Sequence, residues 1–329
     1  MNRAINYSRR VNSPFFLLII TLSLLATGCT TPIIKDDLAT WDVTKNNTDS
    51  GNATDTLPLE SGQIIVTSSE NTLDIFAGLL PESYNPYVHA AVLSLENGKP
   101  YVYEEFGNLW PNPFAKSPTD AVSGRVKRVP LYQFLERYAH IEIWDPVELD
   151  KSAIVAFAQL HFAQHTPFDP YFDNNETDTL YCTEFVALAL EAGGAAPFPV
   201  IAMRDNRSAR TVLDWLKVPD ALIQADTLIA SSTRVATLSL TRTPMEIRLT
   251  DEVRREFYRR FTCDQQVGNL FAVNGPTVRL RDPAEQFLAE AMILFDPSAS
   301  PPDLATTRQA VRTLSNVHFG PFDPNITCR

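Results

Sequence analysis

The chain has 329 residues, a net charge of −11 and four cysteines. Such acidity excludes nucleic-acid binding driven by counterion release, which needs a basic face. The length allows one large domain or one domain with an appendage.

The first residues read as an address. Arg3, Arg9 and Arg10 form a positive leader, and Phe15–Leu25 is an apolar core followed by Leu-Ala-Thr-Gly-Cys29. This core falls short of the roughly 20 residues of a membrane span and reads as a signal-peptide h-region. The Arg9-Arg10 pair lacks the downstream pattern of a twin-arginine signal. Gly28-Cys29 resembles the lipobox of bacterial lipoproteins. That resemblance implies cleavage after residue 28 and lipid on Cys29, which would anchor the chain to a membrane. Thr30, standing where an inner-membrane retention aspartate occurs, implies the outer membrane, facing the periplasm. Removing residues 1–28 takes away three arginines and no acid, leaving a charge of −14. The sign fits a soluble body tethered by lipid rather than a basic patch on anionic lipid.

Residues 29–60 are rich in Thr, Asp and Asn and read as a flexible tether. Beyond them, Ile64–Thr67, Val88–Leu95 and Tyr101–Glu105 are predicted strands. Asn97-Gly98 between the last two signals a two-residue type I′ hairpin, whose turn needs φ > 0 at both positions. Asp150–His165 has helical spacing with Asp150 as N-cap. Tyr181–Ala192 is a second helix, closed by Gly193-Gly194. Thr211–Leu216 reads as helical and Val235–Leu240 as a strand. Asp251–Phe261, Pro283–Leu294 and Asp303–Leu314 are predicted helices, with a Pro-rich linker at Pro297–Pro302. Strands followed by helices predict an α+β fold. The expected divisions are a signal peptide (1–28), a tether (29–60), a catalytic domain (61–239) and a mostly helical C-terminal extension (240–329).

In an oxidising compartment Cys263 and Cys328 are expected to pair, the alternative being two buried thiols. Cys182 is left without a partner, in the first turn of the Tyr181–Ala192 helix. There, unpaired N–H groups and a partial positive charge stabilise a thiolate. The hairpin supplies candidates for the rest of an acyl-transfer site. If Glu96 faces Lys99, then Ala91 faces Glu104, and His89 shares a face with Glu104. A one-residue bulge would substitute Glu105. Cysteine, histidine and an orienting carboxylate suffice for acyl transfer from amides, esters or thioesters. The competing readings are a buried structural Cys182, a satisfied His89 at a strand start and a solvated edge Glu104.

Other chemistries find less support. His161 and His165 have the i, i+4 spacing of metal ligands, but Phe162 stands where a zinc peptidase needs glutamate. Asp169, before a proline, reads as a turn residue. No Gly-x-Ser-x-Gly elbow or Gly-rich phosphate loop occurs. No cofactor or metal is expected.

The stretches SGQIIVTSS (61–69), YVHAAVLSLENGKPYVYEEFG (87–107), HTPFDPYFD (165–173) and LYCTEFVALALEAGG (180–194) resemble the circularly permuted papain-like amidases of the YaeF/YiiX type. These are relatives of the NlpC peptidases in which the histidine strand precedes the cysteine helix. The resemblance covers roughly residues 61–230 and includes KVPDALIQADTLIA at 217–230. It implies Cys182 as nucleophile, His89 as general base and Glu104 as third residue. It also implies an antiparallel sheet packed on the cysteine helix. Amide bonds of peptidoglycan peptides are the implied substrates, with lipid or acyl esters as the alternative. A non-catalytic envelope scaffold or binding lipoprotein is the reading from another class. Gln63 and Ala90-Ala91 depart from the family pattern, and residues 240–329 lie outside the resemblance.

Overall fold

A computed structural model describes residues 42–44, 57–68, 71–107, 124–174, 178–204, 219–261, 269–274, 277–296 and 299–322. The expected signal peptide, Cys29, Cys263, Cys328 and the predicted helix at Thr211–Leu216 lie outside them. The fold is α+β.

The centre grows from the predicted hairpin. Strands β3 (His89–Glu96) and β4 (Lys99–Gly107) are joined by Asn97 and Gly98, both at positive φ, 52° and 77°. The pairing runs from Glu96 opposite Lys99 to Val92 opposite Tyr103 with no shift, so the bulged register does not occur. Strand β2 (Ile64–Ser68) is wholly buried, because it lies between β3 and β6 (His140–Pro146). With β1 (Asp42–Thr44), β5 (Gly124–Pro130) and β9 (Ser232–Ser239) these form a seven-stranded antiparallel sheet in the order β1-β9-β6-β2-β3-β4-β5. Two further pairs, β7 (Val200–Ala202) with β8 (Ala221–Ile223) and β10 (Phe271–Asn274) with β11 (Thr277–Leu280), stand apart from it.

Two hydrophobic cores flank this frame. In the first, Ala90, Val92 and Tyr103 of the sheet meet Ile154 and Ala158 of α3 (Lys151–Gln164) and Phe185, Val186 and Ala189 of α4 (Cys182–Ala192). The many alanines let helix and sheet approach closely. Asp150 caps α3 as expected, its carboxylate accepting the N–H of Ser152 at 2.9 Å. The one-turn helix α5 (Ala225–Leu228) adds Ala225 and Leu228 to this first core. The second core joins α1 (Thr72–Ala77), α6 (Pro244–Phe261), α7 (Asp282–Ala291), α8 (Leu304–Phe319) and the β10–β11 hairpin. Its contacts are aromatic: Phe76 meets Phe271 edge-on at 5.3 Å and Phe257 meets Phe287 at 5.4 Å. Both cores lie in one compact unit spanning Trp41–Arg329.

Two departures from the sequence expectations have local causes. Residues 124–146, without a predicted element, form β5, the short helix α2 (Leu131–Leu135) and β6. β6 hides its pattern because its polar residues face inward. Glu142 is buried and receives Tyr87 Oη at 2.9 Å, Trp144 Nε1 at 3.0 Å and Arg234 Nη1 at 3.1 Å. Helix α6 starts at Pro244, seven residues before its predicted start at Asp251. Its start is a capping box: the N–H of Thr243 donates to Glu246 at 2.8 Å and the N–H of Glu246 to Thr243 Oγ1 at 3.3 Å. A Thr-Pro-x-Glu signature carries that information in the sequence.

Candidate active site

Cys182 is the first residue of α4, half-buried and free. An isolated bridge between Phe168 and Leu180 leads the chain into this helix, and the Glu184 carboxylate accepts the N–H of Tyr181 at 3.4 Å. Cys182 thus sits where backbone donors and the helix dipole meet. Burial raises the Glu184 pKa to about 7.

Cys182 lies close enough to the His89 imidazole to raise its pKa. The ring Nε2 is 3.0 Å from Glu104 Oε2. The remaining Glu104 oxygen pairs with Arg137. Glu104 is fully buried, so the solvated-edge reading does not hold. Of the three expected site residues, His89 and Glu104 are thus in contact from adjacent strands, and Cys182 at the start of α4 lies near the ring.

The environment favours a charged imidazole. Burial opposes the charge on His89, but Cys182 and Glu104 outweigh it and raise the pKa to about 9. Burial likewise works to raise the Glu104 pKa, yet His89 and Arg137 hold it below the usual carboxylate value. The ring is also fixed by shape. Tyr138 stacks on it at 5.7 Å, Phe134 at 6.0 Å, and Phe106 meets it edge-on at 6.2 Å. Arg137 spreads its guanidinium near the same three rings, 5.0–5.6 Å from their centres. Phe134, Arg137 and Tyr138 belong to the stretch whose structure the sequence pattern hid. Sequence reasoning missed them for that reason.

Glu105, the alternative third residue, points to the other face of β4. It is fully buried, and neither carboxylate oxygen has a hydrogen-bond partner. Burial, reinforced by Cys182, raises its pKa to about 9, so it is neutral at pH 7. The two adjacent glutamates thus have opposite states, set by the face each occupies.

The remaining sequence candidates have local roles. Asp169 makes a turn, its Oδ1 accepting the N–H of Tyr171 at 2.7 Å. His161 Nδ1 is 2.8 Å from Thr166 Oγ1, and His165 is the left-handed C-cap of α3. Among the described residues, no group of three or more His, Cys, Asp or Glu is placed to hold a metal ion. None of their helices is long and apolar enough to cross a membrane.

No family model and no curated protein matches the chain. Among solved structures, it is similar to the crystal structure of the metalloprotein yiiX from Escherichia coli O157:H7, DUF1105. The identity is 19%, the TM-score 0.42, and the match covers 54% of this chain and 96% of the other.

Proposed function

We propose that this protein is a cell-envelope cysteine hydrolase with a circularly permuted papain-like, NlpC-type domain over residues 61–239. The observation that carries the reading is the His89 imidazole, 3.0 Å from the buried Glu104 carboxylate and close enough to Cys182, at a helix N-terminus, for that thiol to raise its pKa. In the reaction the Cys182 thiol gives its proton to His89. The thiolate attacks the substrate carbonyl, forming a C–S bond and a tetrahedral oxyanion near the backbone N–H groups that begin α4. Collapse breaks the bond to the leaving group, which takes the proton from His89. Water, deprotonated by His89, then attacks the thioester. The acid is released and the proton returns to Cys182. Glu104 orients the ring and stabilises its charge throughout, as the carboxylate does in related triads.

The sequence resemblance supports amides of peptidoglycan peptides as substrates. An acyl ester is the second reading, favoured by an apolar cavity of about 230 Å³ beside Cys182, walled by Phe76, Leu80, Val88, Phe172, Met203 and Leu222 among others. The lipobox likeness supports an anchor on Cys29 at the outer membrane, facing the periplasm, and the oxidising compartment a Cys263–Cys328 disulfide.

A thiol-directed alkylating probe tests the central claim. At pH 6–7, labelling of Cys182 in the native protein should run about 10²-fold faster than in His89→Ala, the low end of what a positioned acid–base group supplies. Equal rates in the two proteins would sink the hydrolase and leave a non-catalytic envelope scaffold or binding lipoprotein.

A further inference from the structure

Away from the thiol, helix α8 carries charge of the sign opposite to that of the whole chain. Over Leu304–Phe319 it has two arginines and no acid, in a chain of net charge −11. Its Arg308 donates to Glu252 of α6 at 2.8 and 3.1 Å, and Arg255 lies 3.5 Å from the same carboxylate. One turn on, Glu256 accepts from Arg259 at 2.7 and 2.6 Å and from Arg260 at 2.6 Å, while Arg312 stays 4.0 Å away. Among the described residues, these five guanidiniums share two carboxylates, an excess of three positive charges. Counting Asp251 together with the buried Arg254 that acts on it leaves the excess unchanged. The Arg312 side chain is 45% exposed, so its charge faces water.

Two grooves on α8 put that charge beside carbon. The first, of about 420 Å³, is lined by Arg259, Gln309, Arg312, Asn316, Pro321 and Phe322, with no acid among the described residues. Arg259 lies over the Phe322 ring at 3.8 Å. Asn316 Oδ1 accepts a hydrogen bond from Arg260, which leaves the N–H₂ as the free end of that amide. The groove therefore offers mainly N–H donors. The second, of about 710 Å³, is lined by Leu294, Ala310, Leu314 and Val317 among others, and Gln309 belongs to both. Val317 is 75% exposed, and Ile293, next to Leu294, is 78% exposed. One exposed apolar side chain is ordinary, but two beside an apolar groove make a patch of the kind that marks a contact surface.

We propose that this face of α8 docks an anionic phospholipid, with its phosphate on Arg259 and Arg312 and its acyl chain along Leu294, Leu314 and Val317. A guanidinium fork matches a pair of phosphate oxygens and binds them by charge-assisted hydrogen bonds. A hydrocarbon chain in the second groove removes apolar surface of both partners from water. A free phosphate would use the first groove alone, and an uncharged chain the second alone. Their junction at Gln309 fits one ligand with a charged head and an apolar tail. The site lies in residues 240–329, outside the hydrolase domain, and uses neither Cys182 nor Cys29.

The test is calorimetric titration of the full chain with dihexanoylphosphatidylglycerol below its micelle concentration. A soluble lipid keeps the readout separate from any acyl group on Cys29. It should bind about tenfold tighter than zwitterionic dihexanoylphosphatidylcholine, and added salt should narrow that gap. Arg312→Gln should weaken binding of the anionic lipid about tenfold, the loss of one charge-assisted hydrogen bond. Val317→Ser should weaken it about fourfold, the worth of roughly one buried methylene. Tm should hold in both variants, because both side chains are exposed. No binding, equal affinity for the two lipids, or full affinity in Arg312→Gln overturns the proposal. Inorganic phosphate binding as tightly as the lipid overturns it in favour of a free-phosphate site. Self-association in sedimentation that Val317→Ser abolishes overturns it in favour of an interface between two copies.

Discussion

The two cores bury apolar surface in different ways. The sheet–helix core uses small and β-branched residues, among them Ala90, Val92, Ala158 and Ala187. The C-terminal core uses rings, Phe76, Phe257, Phe271 and Phe287, and carries ions along one helix. There, Glu256 is 3% exposed and is held by Arg259, Arg260 and Ser315. Burial works to raise the Glu256 pKa, but the two guanidiniums keep it low. In the C-terminal core each buried acid has bases around it. In the sheet–helix core Glu105 has no partner at all and is neutral instead. Paired ions in one core serve packing; in the other, among the described residues, the buried acid Glu105 and the buried amide Gln224 have no hydrogen-bond partner.

The C-terminal core also reaches the site. Helix α6 holds the segment that forms one wall of the cavity. Tyr258 Oη donates to Glu82 O at 2.6 Å, Arg204 Nε donates to Pro81 O at 3.0 Å, and Arg254 contacts Ser68. Phe76 belongs to both the aromatic core and the cavity wall. The described residues of 244–319 thus pack behind the wall, and none of them lines the cavity itself.

The comparison breaks if the aromatic core proves to set the chemistry. Phe257→Ala should destabilise by about 3–5 kcal/mol, as large-to-small changes at fully buried aromatic sites do. The fraction that stays folded should alkylate at Cys182 at the native rate. Denaturant melts read alongside labelling separate the two, and a slowed labelling rate in the folded fraction would tie the ring directly to the triad.

Within the site, Glu104→Gln should lower kcat/KM about 10²-fold with little change in KM, for want of charge opposite the imidazolium. Because Glu104 helps to raise the His89 pKa, the alkaline limb of the pH–rate profile should also fall from near 9. An unmoved limb would mean that Glu104 only packs against the ring.

A further prediction concerns Glu105. Its pKa rises from 4.5 unfolded to about 9 folded. The folded state therefore holds a proton that the unfolded chain releases. The stabilisation is full below pH 4.5 and is lost as pH climbs through about 9. Glu105→Gln removes that dependence, so thermal melts between pH 5 and pH 9 should show a shallower decline than in the native protein. An unchanged slope would place Glu105 outside the pH response. Surface acids of the C-terminal core, exposed to water, should show no comparable effect.

Much of this molecule was legible without coordinates. The Asn97-Gly98 turn determined the hairpin register, because two positive-φ positions admit few residues, and period-two geometry then placed Glu104 on His89's face. The Asp150 cap and the Gly193 stop bounded the two helices of the sheet core for equally local reasons. Tertiary packing decided the rest. It buried Glu142, which reads as solvent-facing until Tyr87, Trp144 and Arg234 close on it. It gave Glu104 and Glu105 opposite protonation, since a pKa depends on what lies across the sheet and not on the neighbour in sequence. It also set Tyr138 against the His89 ring and Arg137 on Glu104, from a segment distant along the chain. Local rules act over a few residues of backbone; burial and charge act through space, and only the folded chain defines that space.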